Sequence, residues 1–260
     1  MPQPLKNAVY IIGAGPGDPE LLTLKAHNIL TRADVILYAD SLVPKQMLRD
    51  IRPEAELIAT GNKTLEEILP IMCDRVRANR SVVRLHSGDL SLYSAIQEQI
   101  QGLSAENIPF ELIPGISAYQ AAAAKLGTEL TIPGLVQTII LTRISGSASA
   151  VPEAEELASL AAHKASLCLY LAARHIEAAE NKLLQYYPPD TPVAICFRIG
   201  WKDEKIWLVP LEKMAIASRE NDLIRTTLYL ISPALKNSDN ARSRLYHPEH
   251  SHLFRSNKKQ

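Results

Sequence analysis

Three stretches of small and polar residues in the first half of the chain have the composition to hold a small ligand close to the backbone. The first is Gly13-Ala14-Gly15-Pro16-Gly17-Asp18-Pro19. It follows an apolar run and opens a helical pattern, a junction where glycine admits close approach and helix N-terminal amides are available. A dinucleotide-binding turn asks for glycine three residues after Gly15, where this chain has Asp18. Pro16 lacks an amide hydrogen and Asp18 repels a pyrophosphate, so the loop suits a ligand without phosphates. Taken alone it also reads as a plain strand-to-helix turn. The second stretch runs from Arg84 through His86-Ser87-Gly88-Asp89 to Tyr93. Asp89 could meet the ammonium of an amino-acid-like ligand, or simply cap a helix from Ser91 onward. The third, Pro114-Gly115-Ile116-Ser117-Ala118, again supplies small residues after a strand. Ligands of open parallel sheets bind at the carboxyl ends of strands, so such loops face one crevice.

Other residue groupings exclude more than they suggest. Cys73, Cys168 and Cys196 are too few and too scattered for a disulfide framework, and each reads as a small buried thiol. His247, His250 and His252 have no cysteine or carboxylate partners in register, so no metal site is expected. The 28 basic and 28 acidic residues cancel, which argues against a nucleic-acid binder. The N-terminus lacks the apolar stretch of a signal peptide, and no run approaches the roughly 18 apolar residues of a membrane span. A cytoplasmic enzyme without a membrane partner is the expectation.

The elements that must position these loops follow from hydrophobic periodicity. Apolar runs at Val9–Ile12, Val35–Tyr38, Leu57–Ala59, Ser81–Leu85 and Phe110–Ile113 read as strands. Helical patterns lie between them at Glu20–Arg32, Pro44–Asp50, Thr64–Asn79 and Ser91–Leu103, with Thr64 and Glu67 spaced as a capping box. This alternation implies a parallel sheet covered on both faces. Beyond Pro114-Gly115 a small-residue helix, Ser117–Leu126, leads to strands at Thr138–Thr142, Ser166–Leu171, Val193–Phe197, Ile206–Val209 and Thr227–Ile231. Helices are expected near Ala154–Ala162, Ile176–Tyr186 and Leu211–Glu220. The Val193 and Ile206 strands are joined too briefly for a helical crossover, so they should be antiparallel. The expected organisation is α/β throughout: a parallel-sheet domain over 1–115, a mixed-sheet domain over 116–235 and a polar tail over 236–260. In the tail, Leu245, Tyr246, Leu253 and Phe254 could dock on the body.

With Ser87-Gly88-Asp89, Tyr93 and the Pro-Gly-Ile-Ser turn in order behind the first loop, the chain resembles the tetrapyrrole (corrin/porphyrin) methylases over nearly its whole length. Tyr38-Ala39-Asp40-Ser41-Leu42-Val43-Pro44, Gln120–Ala124, Thr138–Arg143, Leu157–His163, Arg225-Thr226-Thr227, Ala241–Pro248 and His252–Arg255 are most similar to a branch that methylates carbon 11 of the macrocycle. The resemblance implies a two-lobed fold that holds S-adenosylmethionine as methyl donor and a small-molecule tetrapyrrole as acceptor, in a homodimer. It places Pro16, Ser87, Gly88, Asp89, Ser117 and Ala118 on the cofactor from the N-terminal lobe, and Leu171, Ala194, Thr226 and Thr227 from the second. The macrocycle's carboxylates call for arginine or lysine. Lys63, Arg84, Arg143, Arg174 and Arg198 are the candidates, with Arg143 and Arg198 favoured by their places at strand ends. His86 is a further substrate-side candidate, as a proton shuttle near neutral pH or as a satisfied histidine beside the loop. The sulfonium methyl is already activated, so no covalent protein nucleophile is expected. The chain departs from the family pattern at Asp40 (usually glycine), Leu90 (usually proline) and Ser94 (usually glycine). Asp40 also stands where a nicotinamide enzyme would carry its ribose-binding acid, a reading the missing third glycine opposes.

Overall fold

The computed structural model describes residues 4–145 and 150–236. Residues up to Ala121, together with Arg198–Glu204, form one compact unit; Ala122–Phe197 and the chain from Lys205 onward form another. The tail residues named above, the three histidines included, lie outside the described residues.

The first unit carries β1 (Val9–Gly13), β2 (Val35–Tyr38), β3 (Glu56–Ala59), β4 (Val82–His86) and β5 (Phe110–Ile113) in the order β3-β2-β4-β1-β5. Every pairing is parallel. Central β1 and β4 are buried at every position, which is why they read as unbroken apolar runs. Alternate residues serve two cores: Tyr10, Ile12, Ile36, Val83 and Leu85 on one face, Val9, Ile11, Val35, Leu37 and Val82 on the other. Helices α1 (Leu24–Leu30), α2 (Leu65–Arg77) and α3 (Ile96–Ala105) connect the strands. The Thr64/Glu67 capping box starts α2, with the Thr64 amide donating to Glu67 Oε2 at 2.7 Å.

Two expected helices are shorter than their periodicity suggests, one because side chains compete for backbone amides and the other because left-handed residues interrupt it. The Glu20–Arg32 pattern splits into a 3-10 turn, Pro19–Leu21, and α1. Asp18 Oδ1 accepts from the Glu20 amide at 3.0 Å, and Thr23 Oγ1 then caps α1 by accepting from Ala26 at 3.1 Å. The pattern from Ser91 becomes helical only at Ile96, because Tyr93 (φ 52°) and Ala95 (φ 48°) are left-handed. The Pro44–Asp50 segment is a 3-10 helix over Lys45–Leu48.

The second unit holds β6 (Ile139–Arg143), β7 (Ser166–Tyr170), β8 (Pro192–Phe197), β9 (Lys205–Pro210) and β10 (Thr227–Ile231), in the order β6-β7-β10-β8-β9. Only β6 and β7 run parallel, so the sheet is mixed and the β8–β9 hairpin is antiparallel as its short connection requires. Helices α5 (Leu157–Ala161), α6 (Ile176–Leu183) and α7 (Met214–Glu220) supply apolar residues to one core around the fully buried Tyr229. Helix α4 (Ala118–Lys125) precedes this unit's strands.

Candidate functional site

The loops after β1, β4 and β5 meet in the first unit because three glycines let their backbones touch. A Cβ on Gly13 would stand 2.7 Å from Gly88 O and 2.8 Å from the Gly115 amide nitrogen. Gly15 and Gly88 form an isolated bridge, with Gly15 N donating to Gly88 O at 3.1 Å and Gly88 N to Gly15 O at 2.8 Å. The Ala14 amide donates to His86 O at 2.7 Å. Gly15 (φ 76°) and Gly88 (φ 69°) take the left-handed conformation that these turns need. Around Gly88, nothing lies within 4 Å of where a side chain would begin, so the backbone there stays approachable.

Asp89 ties this junction together. Its Oδ2 accepts from the Gly115 amide at 2.9 Å, joining the β4 and β5 loops, and its Oδ1 accepts from the Ser91 amide at 3.0 Å and from the Ser91 hydroxyl. Burial alone would raise the pKa of this carboxyl; the hydrogen bonds from Ser91 and Gly115 outweigh it and hold the group below the usual range. Asp89 is therefore an anion that caps a turn, not the start of a helix, and it retains lone-pair capacity for a ligand. Ser87 and Gly88 are half-buried beside it, while Pro16 and Ser117 are buried. The Ser117 amide donates to Gln120 Oε1 at 2.9 Å, next to half-buried Ala118.

His86 and Arg84 sit at the end of β4 on one face. His86 is only 7% exposed, and burial, aided by the charge of Arg84, lowers its pKa to about 4. With no anion beside it the ring is therefore neutral near pH 7, which favours the reading of His86 as a neutral side chain beside the loop. Arg84 is 6% exposed and donates to Thr60 Oγ1 at 2.8 Å and Gln99 Oε1 at 3.4 Å.

A second contact on the glycine loop was not legible in the sequence. Gln46 Nε2 donates to Gly17 O at 2.7 Å and to Gly200 O at 3.1 Å, clamping the loop to the Arg198–Glu204 turn. A side chain on Gly17 (φ 142°) would meet the Trp201 ring at 2.6 Å. Arg198 packs over that ring, 5.0 Å from its centroid, and pairs with Asp203; the Gly200 amide donates to Glu204 Oε2 at 2.6 Å. Arg198, favoured for a substrate carboxylate, thus already holds an internal one.

In the second unit the resemblance-derived residues gather at one sheet end, except for Ala194, which is fully buried within β8 between Leu230 and Leu208. Leu171 follows β7 and Thr226 precedes the antiparallel β10; both are left-handed, with φ of 54° and 53°. Leu171 is 64% exposed, and the Thr227 hydroxyl donates to Arg225 O at 3.1 Å. Arg198, directly after β8, is left-handed too (φ 48°). Left-handed leucine and threonine cost free energy and concentrate where function over-determines the backbone. Arg143 ends β6 and donates to Ala150 O at 3.1 Å. Arg174 lies elsewhere, in a groove of about 760 Å³ beside the Arg219–Glu177 pair.

The family model for tetrapyrrole (corrin/porphyrin) methylases matches residues 8–215. The chain is 40% identical over 252 residues to a cobalt-precorrin-4 C(11)-methyltransferase of Priestia megaterium, covering 95% of this chain and 97% of that one. It is also 40% identical over 247 residues to a precorrin-4 C(11)-methyltransferase of Pseudomonas aeruginosa, covering 95% and 98%. The X-ray structure of a cobalt precorrin-4 methyltransferase superposes with a TM-score of 0.85 at 40% identity, over 90% of this chain and 98% of that one. A uroporphyrin-III C-methyltransferase from Thermus thermophilus, complexed with S-adenyl homocysteine, reaches 0.74 at 28% identity, over 88% and 98%.

Proposed function

The chain belongs to the tetrapyrrole (corrin/porphyrin) methylases, and from that premise we propose that it transfers a methyl group from S-adenosylmethionine to carbon 11 of precorrin-4, or of its cobalt form, in cobalamin biosynthesis. The observation that carries this reading is 40% identity across 95% of the chain to precorrin-4 C(11)-methyltransferases. The metal-free and cobalt relatives are equally similar, so both substrates belong to the proposal.

The residues present fit the donor. The approachable backbone at Gly88 and the ionised Asp89 suit an adenosyl amino acid that bears an ammonium and no phosphate. We assign Pro16, Ser87, Gly88, Asp89, Ser117 and Ala118, with Leu171, Thr226 and Thr227, to its binding; Ala194, fully buried within β8, offers a ligand no surface. When bound, the donor supplies a methyl group already activated on a sulfonium. What remains for the protein is positioning. Asp89 fixes the β4 loop to the β5 loop, Gln46 ties the β1 loop to the Arg198–Glu204 turn, and the glycine contacts keep all three in register. His86, neutral at working pH, contributes no charge. The same reading includes a cytoplasmic homodimer: the three buried free thiols fit a reducing compartment, and sedimentation velocity tests the pairing. Among the described residues no helix is long and apolar enough to cross a membrane.

Calorimetry with S-adenosylhomocysteine and NAD in parallel tests the donor assignment. Binding of the first alone is expected; binding of NAD alone overturns it.

A further inference from the structure

Arg84 is a buried cation whose hydrogen-bond partners are all neutral. The surrounding arginines show the contrast: Arg52 pairs with Asp34, Arg75 and Arg80 with Glu56, and Arg77 with Glu106. Those pairs are partly exposed, where a counter-charge matters least. Arg84, at 6% exposure, holds only Thr60 Oγ1 and Gln99 Oε1, and among the described residues no carboxylate lies within ion-pair reach of it. A buried guanidinium without an anion is costly, so a chain that keeps one has a counter-charge arriving from outside.

A second unsatisfied group stands beside it. Nε2 of His86 is buried with no hydrogen-bond partner. Gln99 hydrogen-bonds the same ring. Its Oε1 also accepts from Arg84 and its Nε2 donates to Ala95 O at 3.2 Å. In the tautomer that carries its proton on Nε2, the ring presents a buried donor to an incoming anion. Arg84 and His86 are alternate residues at the carboxyl end of β4, immediately before Ser87-Gly88-Asp89, where ligands of parallel sheets bind.

We propose that Arg84 and His86 Nε2 form a carboxylate subsite, with Thr60 and Gln99 orienting the guanidinium, and that an organic carboxylate of a bound ligand supplies the missing charge. The inference rests on the proposed function, which offers two sources: an acidic arm of the macrocycle, or the amino-acid end of the methyl donor.

The test uses the full chain and its Arg84→Met, Arg84→Lys and His86→Gln variants. S-adenosylhomocysteine is titrated by calorimetry, and uroporphyrin III, a macrocycle with acetate and propionate arms, by fluorescence quenching. Arg84→Met should be at least as heat-stable as the parent, because it removes an uncompensated charge. It should bind one of the two probes roughly 10- to 100-fold more weakly, with His86→Gln weaker for the same probe. Weakened uroporphyrin binding identifies the macrocycle's carboxylate; weakened S-adenosylhomocysteine binding identifies the donor's. Where Arg84→Met loses heat stability, Arg84→Lys decides, since it keeps the charge but not the fork. Weaker binding of the same probe supports the subsite, and unchanged binding overturns it. Parent-level binding of both probes by Arg84→Met also overturns it and leaves the methyltransferase reading standing. If the parent itself binds neither probe, the functional reading falls and the subsite with it.

Discussion

Replacing Gly13 by alanine adds one carbon at the point where the three loops converge. The Gly13 backbone is not left-handed, so the whole effect is steric. The new Cβ would lie 2.7 Å from Gly88 O and 2.8 Å from Gly115 N, both backbone atoms on different loops. Restoring ordinary contact at 3.4 Å requires each loop to retreat by about 0.6 to 0.7 Å, the difference between those distances. The loops resist separation, because Asp89 Oδ2 holds Gly115 N and the Gly15–Gly88 bridge holds the other pair. Overpacking of this kind costs about 1 to 3 kcal/mol. A displacement approaching 1 Å in a positioning element costs up to roughly 100-fold in rate. Urea denaturation should therefore show a loss of about 1 to 3 kcal/mol, and calorimetry a 10-fold or greater rise in Kd for S-adenosylhomocysteine, a rough figure from the same displacement. Gly88→Ala is the control for fold disruption: its Cβ meets nothing within 4 Å, so only the strain of φ 69°, about 1 kcal/mol, should appear in stability. If Gly13→Ala matches the parent in both measurements, the loop junction is not what positions the ligand.

Asp89→Ala removes the acceptor of three hydrogen bonds and should cost about 1 to 3 kcal/mol of stability; unchanged S-adenosylhomocysteine affinity would refute its role in the site. The pKa of Asp89 is lowered in the fold, so its contribution is present above its unfolded value near 4 and lost as pH falls through the folded pKa. The gap between parent and Asp89→Asn in urea melts should accordingly narrow below about pH 4. Gln46→Glu keeps the shape of the clamp but turns its donor into an acceptor facing two carbonyls; affinity for S-adenosylhomocysteine should fall roughly 10-fold, and Gln46→Lys, which restores donors, should recover it. Cys73, Cys168 and Cys196 are all buried, and burial pushes Cys168 up to about 12, so a thiol reagent at pH 8 should label none of them until the protein unfolds.

Strands were legible wherever apolar β-branched runs were buried on both faces. Val35–Tyr38 and Thr227–Ile231 lie where periodicity puts them, and so does the more exposed edge strand Phe110–Ile113. Helix starts were less legible, because Asp18, Thr23 and Asp89 each divert a backbone amide that a pattern of apolar residues leaves unmarked. The three glycine loops could be read one by one, since their residue types carry the signal. Their contact with one another could not, because Gly13, Gly88 and Gly115 are far apart in the chain. The same holds for Gln46, whose second partner is 154 residues away. Arg84 looked like any other strand arginine; only the pairing of its neighbours shows that it lacks a counter-charge. The left-handed backbone at Leu171 and Thr226 had no signal at all, as neither residue type favours it.

The central claim is methyl transfer to one ring carbon, and the position of the label tests it most directly. Protein incubated with S-adenosylmethionine carrying a carbon-13 methyl, and with metal-free or cobalt-bearing precorrin-4, is expected to give a product with one added methyl, located by NMR at carbon 11 in at least one of the two. A labelled methyl at any other carbon, or none from either substrate, would contradict the account.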